Sequence, residues 1–346
     1  MARIFNILLL CITLVCGSIA CTTSAAPTDA LRLIGRFEQQ GAQHHSTWPG
    51  SAFEFNFAGS QAKIELASSA RVRFIVDVNG KQSDLWVDGA AKTYTLAEKL
   101  PQGKHHIRVT RVTESFDIVS SIYSQPKVDG KLLPPPTTLD KKILAIGDSI
   151  TAGYGIEGNS KECGYSMETS NQLATYAAIA ARELNADIQA IAWSGIGAWR
   201  SYGENTPVNP TILDRYARTL ANNPTSQWPP ENFQPDVITI AIGTNDYWTG
   251  SVTNEYRLGM KKLVAKVRAD YPGKPLYLIV SPMLGGEARQ SQISEMQTLQ
   301  TPSIRVVDLG KIEASDGYGC DYHPNSITNK RMGEELIRRI RKDLHW

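Results

Sequence analysis

The chain has 346 residues, with 36 Lys and Arg against 34 Asp and Glu, for a formal charge of +2. That balance gives no sign of recognition by bulk charge, and with Lys and Arg scattered along the chain nucleic acid is not an expected partner. With 42% hydrophobic and 20% charged residues the composition also excludes a disordered chain, and the length suits two domains.

Residues 1–26 have the pattern of an export signal. Arg3 precedes an apolar run over residues 4–15, followed by small residues. The run is too short to span a bilayer comfortably. Cleavage is expected after Ala20 or Ala25. The second reading is a lipoprotein signal in which Cys21 carries the acyl chains, although Ser18 stands where such signals usually have Leu. Both readings place the mature protein outside the cytoplasm, periplasmic or extracellular. Membrane attachment is expected only through Cys21.

Of the five cysteines, Cys11, Cys16 and Cys21 fall in this region, leaving Cys163 and Cys320. Two cysteines in an oxidising compartment suggest one disulfide. A metal site built on Cys320 and His323 lacks further ligands at usable spacing.

Residues 27–133 read as β throughout. Phe53-Glu54-Phe55-Asn56-Phe57 and Ala62-Lys63-Ile64-Glu65-Leu66 alternate apolar and polar side chains, and residues 72–78 and 107–112 are further strands. Turn signals separate these segments at Pro49-Gly50, Ala58-Gly59-Ser60, Asn79-Gly80, Asp88-Gly89 and Gln102-Gly103. Short strands at this spacing predict an all-β sandwich or jelly roll. The histidine pairs His44-His45 and His105-His106 fall in it as strand and turn residues.

Residues 134–139, with Pro134-Pro135-Pro136, form a stiff connector that suggests docked rather than freely tethered domains. Residues 140–346 change to strands alternating with helices. Strands are expected at 142–146, 188–193, 237–242, 276–280 and 304–309, and helices at 172–184, 256–269 and 328–344. This order predicts a three-layer α/β domain with a mainly parallel sheet. The basic stretch Arg338-Arg339-Ile340-Arg341-Lys342 belongs to the solvated face of the last helix.

In such sheets ligands bind beyond the carboxyl ends of the strands. Short polar signals stand just there: Gly147-Asp148-Ser149, Ser194-Gly195, Gly243-Thr244-Asn245-Asp246 and Asp321-Tyr322-His323-Pro324-Asn325. A serine hydroxyl needs a base before it is a useful nucleophile. Ser149 follows a strand through a sharp turn, and His323 is the base, because the other histidine of this half, His345, is next to the chain end. Acyl transfer also needs donors for an oxyanion. The backbone N–H groups of Ser149 and Gly195 and the Asn245 amide are the candidates. Asp148 and Asp246 are read as turn-holding acids. Trp248 and Tyr247 are candidate sugar-binding rings.

The C-terminal half resembles the SGNH, or GDSL, hydrolases through Gly147-Asp148-Ser149-Ile150 and Gly243-Thr244-Asn245-Asp246. The name-giving residues of that family map to Ser149, Gly195, Asn245 and His323. From about residue 30 to the end, the chain resembles carbohydrate esterase family 2. The resemblance rests on Gly35-Arg36-Phe37, Trp48-Pro49-Gly50-Ser51, Arg111-Val112-Thr113-Glu114, the stretch from Gly147 to Gly155, and Gly319-Cys320-Asp321-Tyr322-His323-Pro324-Asn325. It implies a jelly-roll domain ahead of an SGNH domain, and an exported deacetylase of plant polysaccharides such as xylan or glucomannan that uses no metal or cofactor.

The chain departs from the broad SGNH pattern at one point. The usual acid, three residues before the histidine, is replaced by Cys320. Either Asp321 reaches the histidine Nδ1 and completes a triad, the preferred reading, or a backbone carbonyl does so. Two other functions stay open on this scaffold: a lipid esterase or lysophospholipase, and a glycan-binding protein with a silent hydrolase domain.

Overall fold

The computed structural model describes residues 30–250, 252 and 254–346. The expected export signal, with Cys21 and both cleavage points, lies outside the described residues.

In the N-terminal half ten strands form one antiparallel sheet. Its spine is a pair of 17-residue strands, Ala62–Val78 and Lys81–Ala97. They are joined at Asn79-Gly80, where φ is 53° and 89°. Positive φ at both positions is what a tight hairpin needs, and glycine and asparagine adopt it at least cost. One end of Ala62–Val78 pairs with Ser120–Ile122 and the other with Gly103–Arg111. Register shifts between Leu66 and Val72 separate the two pairings, so a single strand bends from one layer into the next. The expected sandwich is therefore one sheet curled into a half-barrel. Two expectations fail here. Residues 62–66 and 72–78 belong to one strand, and Asp88-Gly89 is not a turn. Gly89 lies inside Lys81–Ala97 at φ 64°, opposite Ser68 in the irregular stretch. The alternation in Ala52–Gly59 works as read: Phe53, Phe55 and Phe57 are buried against Ile64, Leu66 and Ile107.

The second half is a five-stranded parallel sheet in the order Ala186–Ala192, Lys141–Gly147, Val237–Ala241, Leu276–Ile279, Ile304–Val307. Side chains alternate across it. Leu144, Ile146, Ile238, Ile240, Leu276 and Leu278 face a core shared with helix Asn254–Asp270. Ile143, Ala145, Val237, Tyr277 and Ile279 face the helices Tyr176–Glu183 and Ser326–Leu344. The first strand in sequence lies between the second and third, so the chain leaves it in opposite directions and opens a crevice at its carboxyl end. The strand Lys141–Gly147 delivers Ser149 to that crevice.

The halves are docked through buried polar groups. Arg32 forms a two-pronged pair with Asp187 at 2.7 and 3.0 Å. Arg36, 1% exposed, donates to the carbonyl of Arg218 at 2.8 Å. Trp48 donates to the same carbonyl at 3.3 Å and packs into the core of the α/β half. The Gln172 N–H donates to the Val112 carbonyl at 2.9 Å. A buried arginine is costly unless its donors are satisfied, so these contacts favour one arrangement of the halves.

Candidate active site

The turn after Lys141–Gly147 is built by its own residues. Asp148 caps the short helix Ser149–Ala152 and accepts the Ile150 N–H at 3.0 Å. A Cβ at Gly147 would sit 2.0 Å from Thr151 Oγ1, so only glycine allows the turn to close this tightly. Ser149 is left 5% exposed at the crevice floor. The Asp148 carboxyl is fully buried, and burial pushes its pKa up to about 7.

His323 approaches from the loop ahead of helix Ser326–Leu344. Asn325 caps that helix, accepting from the N–H groups of Ile327 and Thr328 at 3.0 and 3.1 Å. Asn329 reaches back to the Pro324 carbonyl at 2.9 Å, which locks the loop onto the helix. The Ser149 hydroxyl lies 2.8 Å from His323 Nε2. On the other side of the ring, Nδ1 lies 3.1 Å from the Cys320 carbonyl and 3.0 Å from the Asp321 carbonyl. Carbonyls only accept, so Nδ1 carries the proton and the Nε2 lone pair faces Ser149. Burial lowers the His323 pKa below 6.5, and the two carbonyl contacts pull it partly back.

The preferred reading of Asp321 is corrected here. Its carboxylate does not touch Nδ1; it accepts the Tyr154 hydroxyl at 2.5 Å. The cause lies in the backbone. Asp321 and Tyr322 both adopt left-handed φ, 48° and 62°, a conformation uncommon outside glycine. This bend aims the Asp321 carbonyl at the imidazole and turns its side chain outward. Tyr154 joins the two, because its ring stacks on His323 with centroids 4.3 Å apart and planes 26° apart.

Cys320 and Cys163 are joined in a disulfide, Cα atoms 4.6 Å apart, so the Cys320 sulfur is not available to a metal. The bridge ties the His323 loop to the segment after Ser149. The Asp321 N–H also donates to the Cys163 carbonyl at 2.9 Å.

The loops that carry Gly195 and Asn245 are joined through the Asn245 amide and the Ile196 carbonyl. Gly195 has φ 78° with open space where a Cβ would be, so its requirement is conformational rather than steric. The Asn245 amide donates to the Ile196 carbonyl at 2.8 Å, leaving its second N–H for another acceptor. Asp246 fastens the two loops together. Its carboxylate accepts the N–H groups of Ala198, Trp199 and Arg200 at 2.9, 2.7 and 3.2 Å. Burial nevertheless raises the Asp246 pKa to about 6.

The two candidate sugar-binding rings separate. Tyr247 is 2% exposed and packs edge-on against Tyr256 in the core, with its hydroxyl 3.1 Å from Ser291, so it presents no ring to a ligand. Trp248 is 37% exposed and pairs with Tyr202, which is 68% exposed, ring centroids 5.7 Å apart. Sequence reasoning passed over Tyr202, which carries no motif, and over Tyr154, which sits within the Gly147-to-Gly155 stretch. Glu114 was also missed as a site residue; it accepts from the Ser194 hydroxyl across the domain boundary.

A strand-end serine within hydrogen-bond distance of a histidine Nε2, at the carboxyl edge of a parallel sheet, is the site class of an acyl hydrolase. The pattern described as "GDSL-like Lipase/Acylhydrolase family" matches residues 145–331, and "Carbohydrate esterase 2 N-terminal" matches residues 33–136. The chain belongs to the GDSL-like lipase/acylhydrolase family, in the two-domain arrangement of the family 2 carbohydrate esterases. A family two carbohydrate esterase from Clostridium thermocellum, solved in complex with cellohexaose, is 32% identical with a TM-score of 0.86, over 91% of this chain and 99% of that one. Cellulase/esterase CelE of Acetivibrio thermocellus is 35% identical over 86% of this chain, which spans only 38% of CelE. An acetylxylan esterase / glucomannan deacetylase of Cellvibrio japonicus is 26% identical over 88% of this chain and 87% of that protein.

Proposed function

We propose that the protein is an exported carbohydrate O-acetyl esterase acting on acetylated xylan or glucomannan through Ser149 and His323. The observation that carries this reading is the 2.8 Å contact between the Ser149 hydroxyl and His323 Nε2, with Nδ1 held by two carbonyls.

In the first step Ser149 Oγ attacks the acetyl carbonyl carbon while Nε2 takes the hydroxyl proton. Negative charge gathers on the former carbonyl oxygen. The Ser149 and Gly195 N–H groups and the second Asn245 amide N–H are assigned to hold it, and one such donor is typically worth about 3 kcal/mol of transition-state stabilisation. The C–O bond to the sugar breaks, and the sugar oxygen leaves with the proton from Nε2. Water then attacks acetyl-Ser149, giving its proton to Nε2. Collapse releases acetate and returns the proton to Ser149 Oγ. The imidazolium is stabilised by the Cys320 and Asp321 carbonyls, without a carboxylate on Nδ1.

Acetylated polysaccharide as the partner is supported by the exposed Tyr202 and Trp248 rings, whose faces suit the C–H face of a sugar, and by what the relatives are named for. Export and, where Cys21 is acylated, membrane anchoring complete the proposal.

The test is NMR of acetylated xylan and glucomannan before and after incubation with the protein. Loss of acetyl signals is expected. A preference for butyryl or longer esters over acetyl would favour the lipid-esterase alternative instead. Glycan binding without any turnover would favour the silent domain.

A further inference from the structure

A buried acidic side chain of the half-barrel reaches the loop that carries Gly195. Glu114 lies in the loop after strand Gly103–Arg111 and is 1% exposed. Its Oε1 accepts a hydrogen bond from the hydroxyl of Ser194, which immediately precedes Gly195. Its Oε2 is buried with no hydrogen-bond partner. Arg111 is also buried, but its guanidinium serves the backbone. It donates to the carbonyls of Glu114 at 2.6 Å and Ile118 at 2.8 Å, and to the Ser120 hydroxyl at 3.1 Å. Arg111 thus braces the loop that carries Glu114 rather than pairing with its carboxyl.

We propose that Glu114 is a positioning residue of the esterase: by holding Ser194 from across the domain boundary, it fixes the Gly195 N–H on the oxyanion. The half-barrel is then part of the catalytic apparatus, and not only a docked neighbour. The proposal rests on the reading of Ser149 as nucleophile.

Three physical points support it. Gly195 has no side chain and a positive φ; its carbonyl accepts the Tyr202 N–H at 2.8 Å, while the Ser194 side that carries its N–H is held by Glu114. Misplacing a catalytic group by about 1 Å can cost a hundredfold in rate. The charge state also fits. The ionisable groups that act on Glu114 or feel its charge are Arg111, Asp148, Tyr154 and Tyr165. Burial raises the Glu114 pKa to about 8, Asp148 adds to the rise, and Ser194 and Arg111 oppose it. At neutral pH the carboxyl keeps its proton. Ionisation at higher pH would set a negative charge against the loop that carries the Gly195 N–H and oppose the build-up of negative charge there.

The experiment measures kcat and KM for 4-nitrophenyl acetate from pH 6 to about 9.5, with melting temperatures, for wild type, Glu114→Gln, Glu114→Ala, Ser194→Ala and Ser149→Ala. Glu114→Ala and Ser194→Ala are expected to lower kcat by about ten- to a hundredfold with KM nearly constant. Glu114→Gln, which copies the neutral carboxyl, is expected to keep most of kcat at pH 7 and to lose the fall in rate that wild type is expected to show near pH 8. If Glu114→Ala does not fold, Ser194→Ala and Glu114→Gln decide. Wild-type kcat in Ser194→Ala, or an unchanged alkaline limb in Glu114→Gln, would overturn the proposal while leaving the esterase reading intact. Full activity in Ser149→Ala would overturn both.

Discussion

His323 Nδ1 lies 3.0 Å from the backbone carbonyl of Asp321, while the Asp321 carboxylate points away to Tyr154. One residue therefore orients the imidazole through its main chain and braces it through its side chain. The braced partner, Tyr154, is the ring stacked on His323.

Substitution separates these two roles. Asp321→Asn keeps the carbonyl and should lower kcat by less than about tenfold, because no carboxylate bonds to Nδ1. His323→Ala removes the base and should cost on the order of a thousandfold or more. Steady-state kinetics on an aryl acetate reads both. A loss in Asp321→Asn as large as in His323→Ala would mean that the carboxylate swings onto the ring during turnover.

The pH dependence follows from the same surroundings. Nε2 can accept a proton only in neutral His323, and burial lowers its pKa below 6.5. The neutral base thus persists to lower pH than for an exposed histidine. The acid limb of kcat/KM is expected to fall below pH 6.5. A midpoint above that value would show that a carboxylate stabilises the imidazolium in the working enzyme.

Reduction of the disulfide should reduce both stability and rate. The bridge joins residues 157 apart in sequence, which on a chain-entropy argument contributes up to about 5 kcal/mol. It also steadies Cys320, whose carbonyl is one of the two acceptors for Nδ1. Melting curves and kcat with and without a thiol reductant measure both effects. A lower melting temperature with full kcat would confine the bridge to stability.

Polymer and small substrates should part at Trp248. Trp248→Ala is expected to raise KM for acetylated polysaccharide about three- to tenfold, in line with the loss of about 1 kcal/mol of ring contact, and to leave an aryl acetate unaffected. Tyr247→Ala should instead lower the melting temperature, because that ring is core. Equal effects of Trp248→Ala on both substrates would place the indole at the reacting centre.

Ser149, Gly195 and Asn245 were legible because each stands just past the end of an apolar strand, whereas His323 lies in the loop ahead of helix Ser326–Leu344. The strand Lys141–Gly147 is buried on both faces and reads as a continuous apolar run, so the polar Asp148-Ser149 pair marks its end. Helix Gly286–Gln297 was not legible. It buries only Gln292 and Met296, so it has no apolar period, and Gln292 is held by the Ser281 N–H rather than by packing. Strand Lys81–Ala97 was hidden by Gly89, whose positive φ signals a turn in sequence but makes a bulge in the sheet. Asp321 misled because sequence spacing cannot show two successive left-handed residues. Glu114 and Ser194 are 80 positions apart, and no local pattern connects them.

The most direct test of the central claim is to quench the enzyme during turnover of an activated aryl acetate and locate the acetyl group by mass spectrometry of the peptides. An acetyl group on Ser149, absent in Ser149→Ala, is the predicted result. Steady acetate release without acetyl-Ser149, continuing in Ser149→Ala, would contradict it.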